Sequence, residues 1–213
     1  MKKTSKEFLI STIICLLPLV FGLLVYKKLP LEIPTKWYSD GTVGRQYMPK
    51  EFTVFGMPLL FALINALVHF GMNTDPKRQN IGSMMKVLGK WMILVMSVVI
   101  IPMTILWGMG YEIPISRVIP VLIGILFVAM GNYFPKTRRS YTTGIKTPWA
   151  LNSDENWRRT HHVAAFLWIA AGIAMIAMAF LPQNLVLPVM GITIALLLVV
   201  PYLYSYMLYR KGI

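Results

Sequence analysis

Residues Phe8 to Tyr26 read FLISTIICLLPLVFGLLVY, an apolar run without a charged side chain. At about 1.5 Å of rise per helical residue, a run of this length reaches across the roughly 30 Å hydrocarbon core of a bilayer. Lys2, Lys3 and Lys6 precede it and Lys27 and Lys28 follow it. With no small-residue cleavage site after it, the run reads as a retained anchor and not as a secretory signal. Five further runs have the same character: Phe52 to Met72, Trp91 to Gly110, Val118 to Phe134, Val163 to Leu181 and Leu185 to Met207. All six are continuously apolar and do not alternate, so helices are expected and not barrel strands.

Composition agrees. Of 213 residues, 56% are hydrophobic and 14% charged, against about 25% charged in soluble domains. The net charge of +13 comes from residues placed between apolar runs, which argues for a membrane and against nucleic acid. The single cysteine, Cys15, lies within the first run and has no internal disulfide partner. Prolines at 18, 58, 102, 188 and 201 fall in or beside the runs, where membrane helices tolerate the kinks they cause.

The basic residues set an expected orientation. With the N-terminus inside, 15 of the 21 Lys and Arg fall in inner segments and 6 in outer ones. The positive-inside rule then places both termini in the cytoplasm. Tyr202, Tyr204, Tyr206 and Tyr209 suit an interfacial aromatic belt at the end of the last span. The expected architecture is an all-α integral membrane bundle of about six transmembrane helices. It divides into a two-helix unit, 1–90, and a four-helix unit, 91–213.

Two connections carry information. Loop 27–51, outside under this orientation, contains Ile33-Pro34, which requires extended backbone, and Asp40-Gly41, a strong turn signal. Trp37 and Tyr38 in it can rest at an interface or face a ligand. Loop 135–162, inside, opens with the basic cluster Lys136, Arg138 and Arg139, which attracts anionic headgroups. Thr143-Gly144 suggests a turn, and Thr147-Pro148 an extended approach to a helix. Asn152 is the expected N-cap of that helix, with Glu155 completing a capping box. Asp154–Arg158 and Glu155–Arg159 are expected i,i+4 pairs. Trp157, His161 and Ala164 share a stripe.

No constellation for catalysis, a cofactor or a metal emerges. Adjacent His161 and His162 point different ways on a helix, and no phosphate-binding or nucleophile-elbow pattern is present. Asn65 and His69 share a face of the second span. His69 stands near its end, where a capping or snorkelling role is expected. No acidic residue falls inside the six runs, which argues against a proton-coupled pump.

Gly131-Asn132-Tyr133-Phe134-Pro135-Lys136, then Tyr141, Gly144 to Trp149, and Trp157 to His161 resemble the SdpI family, bacterial membrane proteins named for an immunity protein against a sporulation-delaying toxin. Leu29 to Gly41 resembles the domain of unknown function common at their N-terminus. Lys36, Ser140, Lys146, Ala150 and His162 depart from the family pattern; Lys146 keeps charge without the planar fork of arginine. The resemblance implies a non-enzymatic protein of the bacterial cytoplasmic membrane. It would protect the cell from a secreted peptide toxin and signal by holding a transcriptional repressor at the membrane, without contacting nucleic acid. The expected partner-facing residues are Trp37, Tyr38, Arg138, Arg139, Tyr141, Gly144, Lys146, Thr147, Trp149, Trp157 and His161. The alternative function is a small transporter or exporter, with Asn65 and broken helices lining its path.

Overall fold

The computed structural model describes residues 2–36, 38 and 44–213. The expected contact Trp37 and the Asp40-Gly41 turn lie outside the described residues. The chain is all-α, with helices α1 (Lys2–Val25), α2 (Met57–Thr74), α3 (Ser83–Gly108), α4 (Ile115–Tyr133), α5 (Pro148–Asn152), α6 (Asp154–Met178) and α7 (Gln183–Arg210). Six of them, all but α5, belong to segments long and apolar enough to cross a membrane. Their large apolar side chains are widely exposed, among them Leu24 at 79%, Phe180 at 84% and Leu198 at 68%. Water would penalise so much apolar surface; acyl chains do not.

The chain forms two compact units, one of residues 1–70 and 89–119, the other of 71–88 and 120–213. In the first, Ile33-Pro34 is extended as expected. It belongs to strand β1 (Glu32–Pro34), which pairs antiparallel with β2 (Tyr47–Pro49), Ile33 opposite Met48. Ile33 is fully buried with Leu29, Val54, Ile101 and Ile105, so the short hairpin is held by the apolar ends of the helices. A π-helical turn, Phe52–Gly56, leads into α2.

One expectation changes in this unit. His69 neither caps nor snorkels: it is 2% exposed, with Nε2 3.1 Å from Ser11 Oγ. Glu7, one residue before the apolar run, is inside α1, and its carboxylate pairs with Lys90 of α3 at 3.0 Å. Helical geometry begins ahead of the first apolar residue because the backbone hydrogen bonds there gain from continuing, so a charged group is carried into the helix.

In the second unit α4 and α6 approach through glycine. A Cβ on Gly124 would lie 2.5 Å from the Gly172 carbonyl oxygen, and one on Gly172 would lie 2.5 Å from that of Gly124. Backbone contact of this kind replaces the hydrophobic drive that lipid cannot supply. Phe134, Ala164, Ala165, Ile81 and Met85 form the buried apolar cluster that supports loop 135–162.

Candidate functional site

The turn at Ser140 to Thr143 is organised by a carboxylate from another element. Asp75, just past the end of α2, is 5% exposed. Its Oδ2 accepts from the Ser140 hydroxyl at 2.7 Å, the Tyr141 N–H at 3.0 Å and the Thr142 N–H at 2.9 Å. Its Oδ1 accepts from the Lys77 N–H at 2.7 Å. Burial by itself would raise the pKa of this carboxyl. The hydrogen bonds from Ser140, Lys77 and Thr142 outweigh burial and hold it below the ordinary aspartate value. The Thr142 hydroxyl adds a bond to the Gly71 carbonyl at 3.0 Å.

After the turn the chain passes over α6. Gly144 has φ of +98°, and a Cβ there would lie 2.5 Å from His161 Nε2 and 2.8 Å from the Trp157 ring. Both the left-handed backbone and the close approach demand glycine. Directly beyond it, the Ile145 N–H donates to His161 Nε2 at 2.9 Å. His161 Nδ1 is 2.8 Å from the Trp157 carbonyl. An acceptor at Nε2 and a donor at Nδ1 describe the neutral ring in one tautomer. Trp157 stacks on that ring at 4.0 Å and donates its indole N–H to the Thr137 carbonyl at 3.1 Å. His161 is fully buried and Trp157 nearly so. Both are internal struts that clamp the loop to α6.

Thr147 is extended as expected, and it caps α5, accepting from the Ala150 N–H at 3.1 Å. Its hydroxyl also meets Ser205 Oγ of α7 at 2.6 Å. Asn156, buried on α6, donates to the Ser205 carbonyl at 3.0 Å and accepts from the Ser205 hydroxyl at 2.7 Å. Trp149 packs beside Tyr202, Tyr206 and Tyr209, at ring distances of 5.2, 5.0 and 6.0 Å.

The expected capping differs in detail. Asn152 is the last residue of α5, and Ser153 is the N-cap of α6, accepting from the Asn156 N–H at 3.2 Å. Pro148 starts a short helix of its own, so the cap moves by one residue. Glu155 pairs with Arg159 as expected, but it also takes Arg158 at 2.8 Å. Asp154 instead pairs with Arg139, which also donates to the Leu151 carbonyl at 3.1 Å.

The expected contacts therefore separate into two sets. Gly144, Thr147, Trp157 and His161 are engaged inside the unit, and Arg139 and Trp149 are half-buried in internal contacts. Arg138, Tyr141 and Lys146 are exposed on it. Tyr38 is exposed in the other unit, beside the Lys36 ammonium at 5.4 Å from its ring. An open cleft of about 780 Å³ is lined by residues 73–80, Arg139 and Asp154. Asp75, Asn156 and Ser205 were not anticipated. Asp75 had one legible signal, an acidic residue before proline at the end of an apolar run; Ser205 lies in a run of tyrosines and carries none.

Residues 136–205, which hold this network apart from Asp75 and its neighbours, match the model described as the SdpI/YfhL protein family. This stretch of the chain is similar to that family. A model described as a domain of unknown function, DUF1648, matches residues 13–62. The chain is 26% identical over 206 residues to "Immunity protein SdpI" of Bacillus subtilis (strain 168), covering 97% of each chain. No solved structure matches it. With six spans and an SdpI relative along its whole length, this is a multi-pass protein of the bacterial cell membrane. Within residues 136–205, the Asp75-bound turn precedes Gly144, and the His161 clamp follows it.

Proposed function

We propose that this protein is a non-enzymatic membrane immunity protein that protects its bacterium from a secreted antimicrobial peptide. Similarity to an immunity protein over 97% of both chains carries the reading. The termini lie in the cytoplasm, on the charge bias of the connections. The hairpin loop, with Tyr38, then faces the medium and the incoming peptide. Loop 135–162 faces the cytoplasm. There Arg138, Tyr141 and Lys146 form the exposed part of a platform whose rigidity comes from Asp75, Trp157 and His161. This platform is the surface on which a repressor would be held.

The test is survival of toxin-sensitive bacteria expressing this chain, at membrane levels matched by immunoblot. Protection by the parent chain is expected against a sporulation-delaying peptide toxin. Tyr38→Ala should reduce protection, and Arg138→Ala with Lys146→Ala should leave it intact while weakening repressor recruitment. Cells that die as fast with the chain as without it would refute the immunity reading.

A further inference from the structure

The unit of residues 1–70 and 89–119 holds a buried polar cluster that the proposed function does not use. Ser11 of α1 is 3% exposed, Asn65 of α2 fully buried, His69 of α2 2% exposed and Lys90 of α3 6% exposed. Asn65 donates from its amide nitrogen to Ser11 Oγ at 3.0 Å and to Thr12 Oγ1 at 3.2 Å. The Ser11 hydroxyl donates to the Phe8 carbonyl at 3.0 Å. Its single proton is thereby used, and what it offers His69 Nε2 at 3.1 Å is a lone pair. His69 must donate from Nε2, which leaves Nδ1 as the bare nitrogen of the neutral ring.

That nitrogen has no hydrogen-bond partner, and neither does Asn65 Oδ1, although both are buried. Two unmet acceptors side by side on one helix face are costly where there is no water to serve them. A proton on Nδ1 turns one of them into a donor. The charges acting on His69 are Lys90 from α3 and Glu7 from α1. Phe8, whose ring edge contacts the imidazole at 5.3 Å, is the neutral wall. Lys90 and Glu7 are themselves paired at 3.0 Å, with the Lys90 side chain 8% exposed and that of Glu7 47% exposed. The carboxylate thus ties buried Lys90 to the surface.

We propose that Glu7, Ser11, Asn65, His69 and Lys90 form a proton-binding site, with His69 Nδ1 the atom that takes the proton. The proton comes from bulk water past the exposed face of Glu7, and the neutral ring becomes imidazolium while Nε2 keeps its bond to Ser11. The new cation competes with Lys90 for Glu7, so proton uptake loosens the tie between α1 and α3. The site makes an ionic link between the pH on that side of the membrane and the packing of three membrane helices.

The experiment is nitrogen NMR of the full chain in lipid nanodiscs with labelled histidine, titrated from pH 8 to pH 5. Loss of the signal in His69→Gln assigns it apart from His161 and His162. At pH 8 His69 should carry its proton on Nε2 alone, and Nδ1 should gain one reversibly on acidification. Lys90→Met should raise the midpoint by about one pH unit, and Glu7→Gln should lower it by a similar amount, the size expected of a unit charge nearby at partial burial. Three results each overturn the proposal: a proton on Nδ1 at pH 8, a ring still neutral at pH 5, or one midpoint shared by the parent and both charge variants. If a charge variant fails to fold, the parent titration alone decides. The readout involves no toxin, so its failure and the failure of the immunity reading are separate events.

Discussion

Replacing Asp75 by asparagine exchanges one carboxylate oxygen for an amide that can only donate. Four groups point hydrogen at that carboxylate: the Ser140 hydroxyl and the N–H groups of Tyr141, Thr142 and Lys77. The best placement keeps the remaining oxygen at the Oδ2 position, facing three donors. The new amide then faces the Lys77 N–H across the 2.7 Å that was a hydrogen bond, donor against donor. One charged bond is lost, a part-buried N–H is left unmet, and three bonds fall from charge-assisted to neutral strength. At about 1 to 2 kcal/mol for the unmet group and some tenths to about 1 for each weakened bond, the expected loss is about 3 kcal/mol. For a chain of this size that corresponds to about 6 to 12 °C in Tm. Thermal unfolding followed by tryptophan emission in nanodiscs measures it, because Trp149 and Trp157 lie in the affected unit. Ser140→Ala in the same assay should cost less, and the double variant should fall short of the sum of the singles, since the two share one bond. A Tm change under 2 °C for Asp75→Asn, or strict additivity, would refute the claim that this carboxylate organises the turn.

Acidification should act on the same group. Its folded value lies below the ordinary one, so its contribution to stability is full above the unfolded carboxylate value and fades as pH drops through the folded one. Tm of the parent should therefore fall more steeply below about pH 4 than that of Asp75→Asn, as a pH series of melts will show. Gly144→Ala should cost more than 2 kcal/mol, from a strained φ together with the clash on His161 and Trp157; a melt within 3 °C of the parent would contradict that. Gly124→Val must push α4 away from the Gly172 carbonyl, so a loss of folded protein in detergent is expected, measured as the monodisperse fraction on size exclusion. His161→Phe fills the space but strands the Ile145 N–H, and a cost of about 1 to 3 kcal/mol should appear in the same melts.

The spans were legible because a bilayer imposes a length and an apolar composition on each helix, whatever its neighbours do. Six runs in the sequence became six candidate spans, and Ile33-Pro34 became a strand because proline restricts the residue before it. Thr143-Gly144 and Thr147-Pro148 were local signals too, a turn and an extended approach to a helix. What failed was local detail decided by competition: Ser153 displaced Asn152 as cap once Pro148 had begun its own helix, and Arg139 took Asp154 from Arg158.

By itself the sequence determined the number of spans, the extended and capped segments, and the motif that resembles the SdpI family. These depend on residues near one another along the chain, or on the solvent around them. Only the tertiary structure decided that Asp75 binds the turn 65 residues away, that His161 and Trp157 are struts, and that His69 and Asn65 meet Ser11 in the interior. A buried polar atom takes whichever complementary atom the packing brings within about 3 Å, and that choice leaves no periodic trace in the order of residues.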